Sequence, residues 1–182
     1  MCFIAAGMGG FGDTDAPARV ADYAIDAAIM PDILALVDAL SPGRPHLVGH
    51  DWGAAAGWML AGRAAGRFQS WTALGVGHPL AFLAAGAEQR RRSAYIALHL
   101  ARGLCERVYR RDDWAFLRRH WEGVRDIDET IALLARPGRL SAGLAWYRAN
   151  IPLSVIAGLA KPHNAPAARL PTLAVWPSGD RY

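Results

Sequence analysis

The chain has 182 residues, which is enough for one domain with a sizeable hydrophobic core. Apolar residues make up 53% of it and charged residues 20%, and this balance excludes an intrinsically disordered protein. The formal net charge is +4, yet Lys161 is the single Lys among 20 basic residues, and an Arg bias of this kind does not by itself indicate a nucleic-acid partner.

The number and spacing of the cysteines and the hydropathy of the chain predict its cellular compartment. Cys2 and Cys105 are too few for a disulfide framework, and neither lies in a spacing typical of a metal site. The N-terminus lacks the positive n-region of a secretory signal, and the longest uncharged run, residues 68–87, suits a strand with its loop better than a membrane span. We therefore expect a soluble, cytoplasmic protein that uses no cofactor or metal and binds neither membranes nor nucleic acid.

The N-terminal part of the chain predicts alternating strands and helices. An apolar run over residues 2–6 ends in a glycine cluster and predicts a buried strand. Apolar residues recur at helical spacing over 27–40 and predict a helix. A second strand is predicted over 46–49, then a helix of small residues over 52–65 and a third strand over 71–76. This alternation indicates βαβ units, hence a mostly parallel sheet with helices on its faces.

The segment 80–169 has a helical pattern with almost no strand signal and precedes a fourth strand, predicted over 170–176. It is too long for a simple crossover, so we expect a helical lid over one end of the sheet. The expected organisation is a core part over 1–79, the lid over 80–169 and a return to the core over 170–182. Ten Arg against five acids lie in residues 88–125, which we interpret as the solvated outer face of the lid helices.

The second predicted strand leads into the sequence GHDWG at residues 49–53. Glycines two positions before and after a central residue form the nucleophile-elbow pattern, whose usual form is G-x-S-x-G. The central backbone is strained and flanking side chains would collide, so Gly49 and Gly53 are both expected to be sterically required. The pattern places Asp51 at a helix N-terminus, beneath the lid, where the dipole and free N–H groups stabilise negative charge.

An aspartate at the central position favours a different chemistry from that of serine. A carboxylate is ionised at neutral pH and can displace a leaving group at an sp³ carbon, which gives an alkyl-enzyme ester. Water then hydrolyses that ester with a general base, normally a His oriented by a second acid. Epoxides and carbon–halogen bonds are the electrophiles that suit such a nucleophile.

Six segments, in the expected order, carry a family resemblance. The chain resembles the epoxide hydrolase branch of the α/β-hydrolase superfamily over nearly its whole length. The matching segments are FGDTDAP, GHDWG, VGHPLAF, QRRRSAYIALHLARGLCE, LAWYRANIP and PTLAVWPSGD. The resemblance implies a partial α/β-hydrolase fold, with a mostly parallel sheet, flanking helices and a helical lid.

The resemblance also implies a role for each matching residue. Asp51 matches the nucleophile, and Trp52 matches the next residue, whose backbone N–H contributes to an oxyanion hole. Tyr95 and Tyr147 match two lid tyrosines, whose hydroxyls hold and protonate the epoxide oxygen. Asp180 matches the acid that orients the catalytic His.

Other parts of the family pattern have no counterpart in the sequence. These are the N-terminal strands with the H-G-x-P loop of the oxyanion hole, and the last strand with the catalytic His. We therefore expect a chain that corresponds to the middle of the family fold and is inactive alone, with a complementing chain or a second copy as a candidate partner. Of the histidines that could replace the base, we expect His50 to point away from Asp51, and His78 and His163 to make loop hydrogen bonds.

The expected function is that of an epoxide hydrolase-like enzyme acting on a small, apolar epoxide. Two alternatives stay open. The first is a haloalkane dehalogenase-like hydrolase, in which indole N–H groups, including one at the position of Trp52, hold the halide. The second is a non-catalytic chain, such as one half of a split protein. The pair of lid tyrosines, Tyr95 and Tyr147, favours epoxides over haloalkanes.

Overall fold

The computed structural model describes residues 3–41, 43–157 and 165–179. Three strands form one parallel sheet in the order β1-β2-β3. The strands are β1 (His46–His50), β2 (Ser70–Leu74) and β3 (Thr172–Val175). In the register, Gly49 of β1 lies opposite Ala73 of β2, which lies opposite Ala174 of β3. The predicted parallel sheet and three of the four predicted strands are therefore confirmed.

The strand predicted over residues 2–6 is wrong across the part that the structure describes. Residues 3–6 form no strand, and Phe3 is 85% exposed. An apolar run becomes a strand only where a neighbouring strand accepts and donates its backbone hydrogen bonds. The sheet in the described chain contains β1, β2 and β3, and none of these strands pairs with residues 3–6.

Two helices flank the sheet on the N-terminal side of the chain. A π-helical turn, Ile25–Ile29, leads into α1 (Met30–Leu40), which tolerates Pro31 in its first turn. Helix α2 (Trp52–Arg63) packs on β2. A Cβ atom at Gly57 of α2 would lie 2.1 Å from the ring of Trp71, so only glycine lets the helix approach the strand this closely.

Eight helices lie between β2 and β3 in the described chain, in agreement with the helical pattern of residues 80–169. They are α3 (Pro79–Ala84), α4 (Gly86–Arg92), α5 (Tyr95–Leu100), α6 (Leu104–Arg110), α7 (Ala115–His120), α8 (Ile127–Ala135), α9 (Arg139–Asn150) and α10 (Leu153–Ile156). No helix within the described ranges has both the length and the apolar character needed to cross a bilayer.

Helix α9 joins two hydrophobic cores. Its Leu140 and Leu144 belong to a core within the helical region, together with side chains of α6, α7 and α8. Its Trp146 is fully buried in the second core, with α2 and the segment before α1. The Trp146 indole also donates a hydrogen bond to the Gly9 carbonyl at 3.0 Å. The helical region is thus anchored on the strand-bearing part through one helix.

Candidate active site

Asp51 occupies the corner between β1 and α2. Its φ of 51° and ψ of −123° lie in a region that non-glycine residues rarely adopt. Such a conformation costs about 1–3 kcal/mol and persists only where the surrounding structure enforces it. The strand-to-helix corner predicted from the glycine spacing is therefore present, with the aspartate at its centre.

The two glycines of the corner differ in their steric roles. A Cβ atom at Gly49 would lie 2.4 Å from the Gly53 carbonyl oxygen, so Gly49 is required for the strand and the helix to meet. A Cβ atom at Gly53 would meet nothing within 4 Å in the described chain. The predicted collision is confirmed at Gly49 and wrong at Gly53, because that position faces open space.

The side chain of Asp51 is left available by the helix that follows it. The Asp51 carbonyl accepts the N–H groups of Ala54 and Ala55 at 2.9 and 3.0 Å, but its carboxylate makes no capping hydrogen bond. The N–H groups of Trp52 and Gly53, at the start of α2, have no partner in the helical ladder. Unsatisfied N–H groups and the helix dipole both stabilise negative charge beside Asp51.

The predicted cover over Asp51 is incomplete in the described chain, where Asp51 is exposed. The physical reason lies in β1, which ends in the Asp51 corner and is an edge strand among the described residues. Its Val48 side chain is 62% exposed, although parallel strands are normally buried on both faces. The helical region therefore approaches Asp51 from one side only.

Both predicted tyrosines lie on that side. The Tyr147 ring stands edge-on to the Trp52 ring, with centroids 5.0 Å apart, and the Tyr95 ring lies 6.4 Å from that of Tyr147. Burial raises the pKa of Tyr147 far above its usual value, and the Tyr95 phenol and the negative charge of Asp51 raise it further. The structure thus brings Asp51, Trp52, Tyr95 and Tyr147 together, whereas Asp180 lies outside the described residues.

The Trp52 indole has a polar atom without a partner. Its ring packs between Trp146, at 5.8 Å, and Tyr147. The indole Nε1 is buried and makes no hydrogen bond in the described structure. A buried N–H without an acceptor costs about 1–3 kcal/mol, so this donor is a candidate contact for a bound molecule next to Asp51.

The histidines considered as replacement bases lie in other roles or outside the description. His50 is exposed at the end of β1. The His78 ring caps α3, accepting a hydrogen bond from the Leu80 N–H at 3.2 Å, and its other nitrogen lies 3.2 Å from the Pro166 carbonyl. The expected loop hydrogen bonds of His78 are confirmed, and His163 falls outside the described residues.

Sequence reasoning missed a histidine that contacts both tyrosines. His99 is 7% exposed, and its ring lies 5.1 Å from that of Tyr95 and 4.3 Å from that of Tyr147. Burial, followed by the positive charges of His120 and Arg148, lowers the pKa of His99 to about 4. The available signal was spacing, since His99 follows Tyr95 by four residues and helical residues four apart share a face.

A buried ion pair ties the helices behind the tyrosines together. Arg148 of α9 donates two hydrogen bonds to Glu106 of α6, at 2.7 and 3.1 Å, and a third to the His99 carbonyl at 3.0 Å. Burial alone would raise the pKa of Glu106, but the hydrogen bonds from Arg148 and from the backbone N–H groups of Glu106 and Gly103, together with the positive charge of Arg148, lower the pKa to about 2. Glu106 also accepts the Gly103 N–H at 2.8 Å, which caps α6.

Metal ligands and thiols are two further kinds of reactive group. Among the residues that the structure describes, no three His, Cys, Asp or Glu side chains converge as metal ligands would. Cys105 is a free, buried thiol, and burial raises its pKa to about 12, so it is protonated at neutral pH.

Comparison with known proteins finds relatives over most of the chain. The family model described as "alpha/beta hydrolase fold" matches residues 2–97, about half of the chain. Epoxide hydrolase 4 of Homo sapiens is 25% identical over 98% of this chain and 52% of its own length. Epoxide hydrolase 2 of Caenorhabditis elegans is 29% identical over 80% of this chain and 45% of its own length. The chain spans about half the length of these curated relatives.

Solved structures agree with the fold. A Bacillus megaterium epoxide hydrolase, crystallised in complex with an inhibitor, matches with a TM-score of 0.79 and 22% identity. The match covers 95% of this chain and 65% of that one. A putative acyltransferase of Salmonella enterica matches with a TM-score of 0.70 and 25% identity, over 92% of this chain and 60% of its own. The similarity therefore supports one fold that carries more than one chemistry.

Proposed function

The chain belongs to the family of the alpha/beta hydrolase fold, and on that premise we propose that it opens epoxides through an alkyl-enzyme ester on Asp51. The observation that carries the proposal is the strained corner at Asp51, next to a Trp52 ring that meets the Tyr147 ring edge-on, with the Tyr95 ring 6.4 Å from that of Tyr147. The resemblance to the epoxide hydrolase branch and the epoxide hydrolases among the relatives support the same substrate class.

Ester formation on Asp51 conserves atoms, electron pairs and protons. A carboxylate oxygen of Asp51 forms a bond to an epoxide carbon while the ring C–O bond breaks, and its electron pair passes to the epoxide oxygen. That oxygen takes a proton from the phenol of Tyr95 or Tyr147, and the resulting phenolate recovers a proton from water. The raised pKa of Tyr147 keeps its phenol protonated, and so able to donate, at neutral pH.

We also propose that the 182-residue chain accumulates the ester rather than turning over. Hydrolysis needs a histidine close enough to Asp51 to deprotonate water. His78 caps α3 and His99 hydrogen-bonds Tyr109, so neither is free for that role. Asp180 keeps its proposed role of orienting such a histidine, by resemblance alone.

Incubation with styrene oxide, followed by intact-protein mass spectrometry, tests the proposal. We expect one adduct per chain, which peptide mapping assigns to Asp51, and no adduct in an Asp51→Asn variant. Replacing both Tyr95 and Tyr147 by Phe should slow adduct formation at least about 100-fold, because the leaving oxygen loses its proton donors. An unmodified Asp51 would contradict the ester, and repeated turnover would contradict the missing base.

The buried indole N–H of Trp52 favours a second candidate, a haloalkane dehalogenase-like reaction at the same carboxylate. An N–H donor without a partner beside Asp51 suits a departing halide, which accepts hydrogen bonds and needs no proton. Halide release from 1-bromobutane, measured beside the styrene oxide reaction, separates the two. Faster alkylation by the bromide, with no effect of the tyrosine changes, would favour this candidate.

The helical region and the exposed faces of the strands bear on how the protein is organised. We propose that residues 80–169 act as the lid over a core part formed by 1–79 and 170–182, and that the buried thiol of Cys105 belongs to a reducing, cytoplasmic setting. The exposed apolar residues Val48 and Leu173 of the sheet support a covering chain, which we take to be a complementing one rather than a second copy. Sedimentation of the purified chain tests this, since a concentration-dependent dimer would indicate a second copy.

A further inference from the structure

His99 contacts the phenol rings of both lid tyrosines. Tyr95 lies one turn before it on α5, and Tyr147 lies opposite on α9. The imidazole meets both rings edge to face, at interplanar angles of 71° and 73°. This one ring therefore packs against both phenol rings.

His99 is itself held from two directions. Its Nε2 lies 2.7 Å from the Tyr109 hydroxyl of α6, inside the helical region. Its backbone carbonyl accepts the Nε–H of Arg148, whose guanidinium is bound to Glu106 of α6. Hydrogen bonds at His99 thus connect α5, α6 and α9, the first and last of which carry the two tyrosines.

His99 fills this space at a cost in the free energy of folding. Its Nδ1 is buried and has no hydrogen-bond partner in the described structure. An unsatisfied buried nitrogen is unfavourable, and a phenylalanine would fill a similar volume without one. With its pKa lowered to about 4, the ring is uncharged at neutral pH, so it adds no cation beside the phenols.

We propose that His99 is a positioning residue, which orients Tyr95 and Tyr147 toward Asp51 through its hydrogen bond to Tyr109. The inference rests on the proposed function in one respect, namely that the two phenols protonate the leaving oxygen. It assigns to the imidazole a role that acts only through the tyrosines. His99 itself does not contact the substrate.

Two alkylating probes distinguish positioning of the phenols from general damage. Styrene oxide needs a proton donor for its leaving oxygen, whereas benzyl bromide releases bromide without one. We expect His99→Phe and Tyr109→Phe each to slow ester formation on Asp51 by styrene oxide about tenfold. The double variant should be no slower than either single one, because both remove the same hydrogen bond. Alkylation of Asp51 by benzyl bromide should change less than about twofold.

A matched control removes a phenol hydrogen bond elsewhere. Tyr23 donates to the Pro17 carbonyl at 2.9 Å in the other core, so Tyr23→Phe should leave both rates unchanged. Equal slowing of both probes by the His99 and Tyr109 variants would overturn the proposal in favour of structural damage. Unchanged rates with both probes would overturn it as well.

A second measurement keeps the inference independent of the ester. In protein labelled with 3-fluorotyrosine, ¹⁹F NMR should show that Tyr109→Phe shifts the signals of Tyr95 and Tyr147, and that Tyr23→Phe shifts neither. If Asp51 proves inert while both signals move, the proposed function fails and the positioning role stands. If neither signal moves, the positioning role fails whatever Asp51 does.

Discussion

The two sides of the candidate site are built by different means. On the strand side, the backbone fixes Asp51: a glycine at position 49 lets β1 meet α2, and a strained φ turns the carboxylate outward. On the helical side, side chains fix the tyrosines, through the imidazole of His99 and the buried pair of Glu106 and Arg148. The strand side is open to solvent, whereas the helical side is enclosed.

This difference indicates which changes each side tolerates. The close backbone approach at Gly49 depends on the absence of a side chain, so a single added methyl group can prevent it. A side-chain network depends on charge and hydrogen bonding, so it is sensitive to pH and to the loss of either partner. Substitutions and changes of pH on the two sides therefore test this contrast.

The largest effect is expected on the strand side. Gly49→Ala forces a Cβ atom to within 2.4 Å of the Gly53 carbonyl oxygen, and backbone cannot move away as a side chain can. We expect a loss of about 4 kcal/mol or more in the free energy of unfolding. Urea unfolding, followed by tryptophan fluorescence, measures it.

Gly53→Ala is the matched control for that experiment. Its added Cβ atom meets nothing within 4 Å in the described chain, and Ala is favoured over Gly inside a helix by about 1 kcal/mol. We expect unchanged or slightly raised stability. Equal losses in the free energy of unfolding from Gly49→Ala and Gly53→Ala would show that the corner is not held by one close backbone contact.

On the helical side, Arg148→Met should destabilise the chain by about 3 kcal/mol. The Arg148 and Glu106 side chains are 7% and 15% exposed, so removal of the cation leaves a carboxylate buried without its partner. The control is Arg118→Met, whose ion pair with Asp128 is solvated and should contribute almost nothing. Similar losses from both variants, by urea unfolding, would contradict an enclosed network.

The helical side should also respond to pH through His99. Its pKa falls from 6.5 to about 4 on folding, so the unfolded chain binds the extra proton between these values. The free energy of unfolding keeps the full contribution of His99 above pH 6.5. It should fall by about 3 kcal/mol as the pH drops through 4. The pKa of Glu106 is lowered from 4.5 to about 2, so its effect on the free energy of unfolding falls mainly at more acidic pH than that of His99.

Comparison of the His99→Gln variant with the unchanged protein isolates the contribution of His99 to the pH dependence of stability. The variant has no group that titrates in that window at position 99, so its stability should fall less between pH 7.5 and pH 4.5. Urea unfolding at the two pH values measures the difference. Parallel losses in both proteins would mean that His99 is not the titrating group.

The smallest effect is expected at Asp51 itself. Asp51→Gly removes the conformational cost of a positive φ and should raise the free energy of unfolding by about 1 kcal/mol. The same change should abolish the styrene oxide adduct, so stability and reactivity would move in opposite directions. A loss of stability would indicate that the corner is not strained.

Sequence alone predicted the parts of the molecule that depend on local pattern. The glycine spacing around Asp51 predicts the corner, because a close backbone approach needs glycine whatever the rest of the fold does. Apolar runs and Gly/Pro punctuation predict β1, β2 and β3 for a similar reason. The run over residues 2–6 fails because a strand also needs a neighbour, which composition does not reveal.

The helical half of the site could not be predicted from local sequence pattern. The spacing of Tyr95 and His99 indicates a shared helix face, but not which helix lies opposite. The meeting of His99, Tyr109 and Tyr147 depends on how α5, α6 and α9 cross. Likewise, Glu106 and Arg148 are separated by 42 residues, and only the packed structure brings them together.

Trp146 gives the molecule a thermodynamic property that neither half has alone. Its fully buried indole contacts Tyr23 and Trp52 and donates a hydrogen bond to Gly9, while its own helix contributes to the other core. The helical region cannot lift away without exposing this side chain to water, a large penalty for an aromatic residue. The strand-bearing part and the helical region should therefore melt in one cooperative transition.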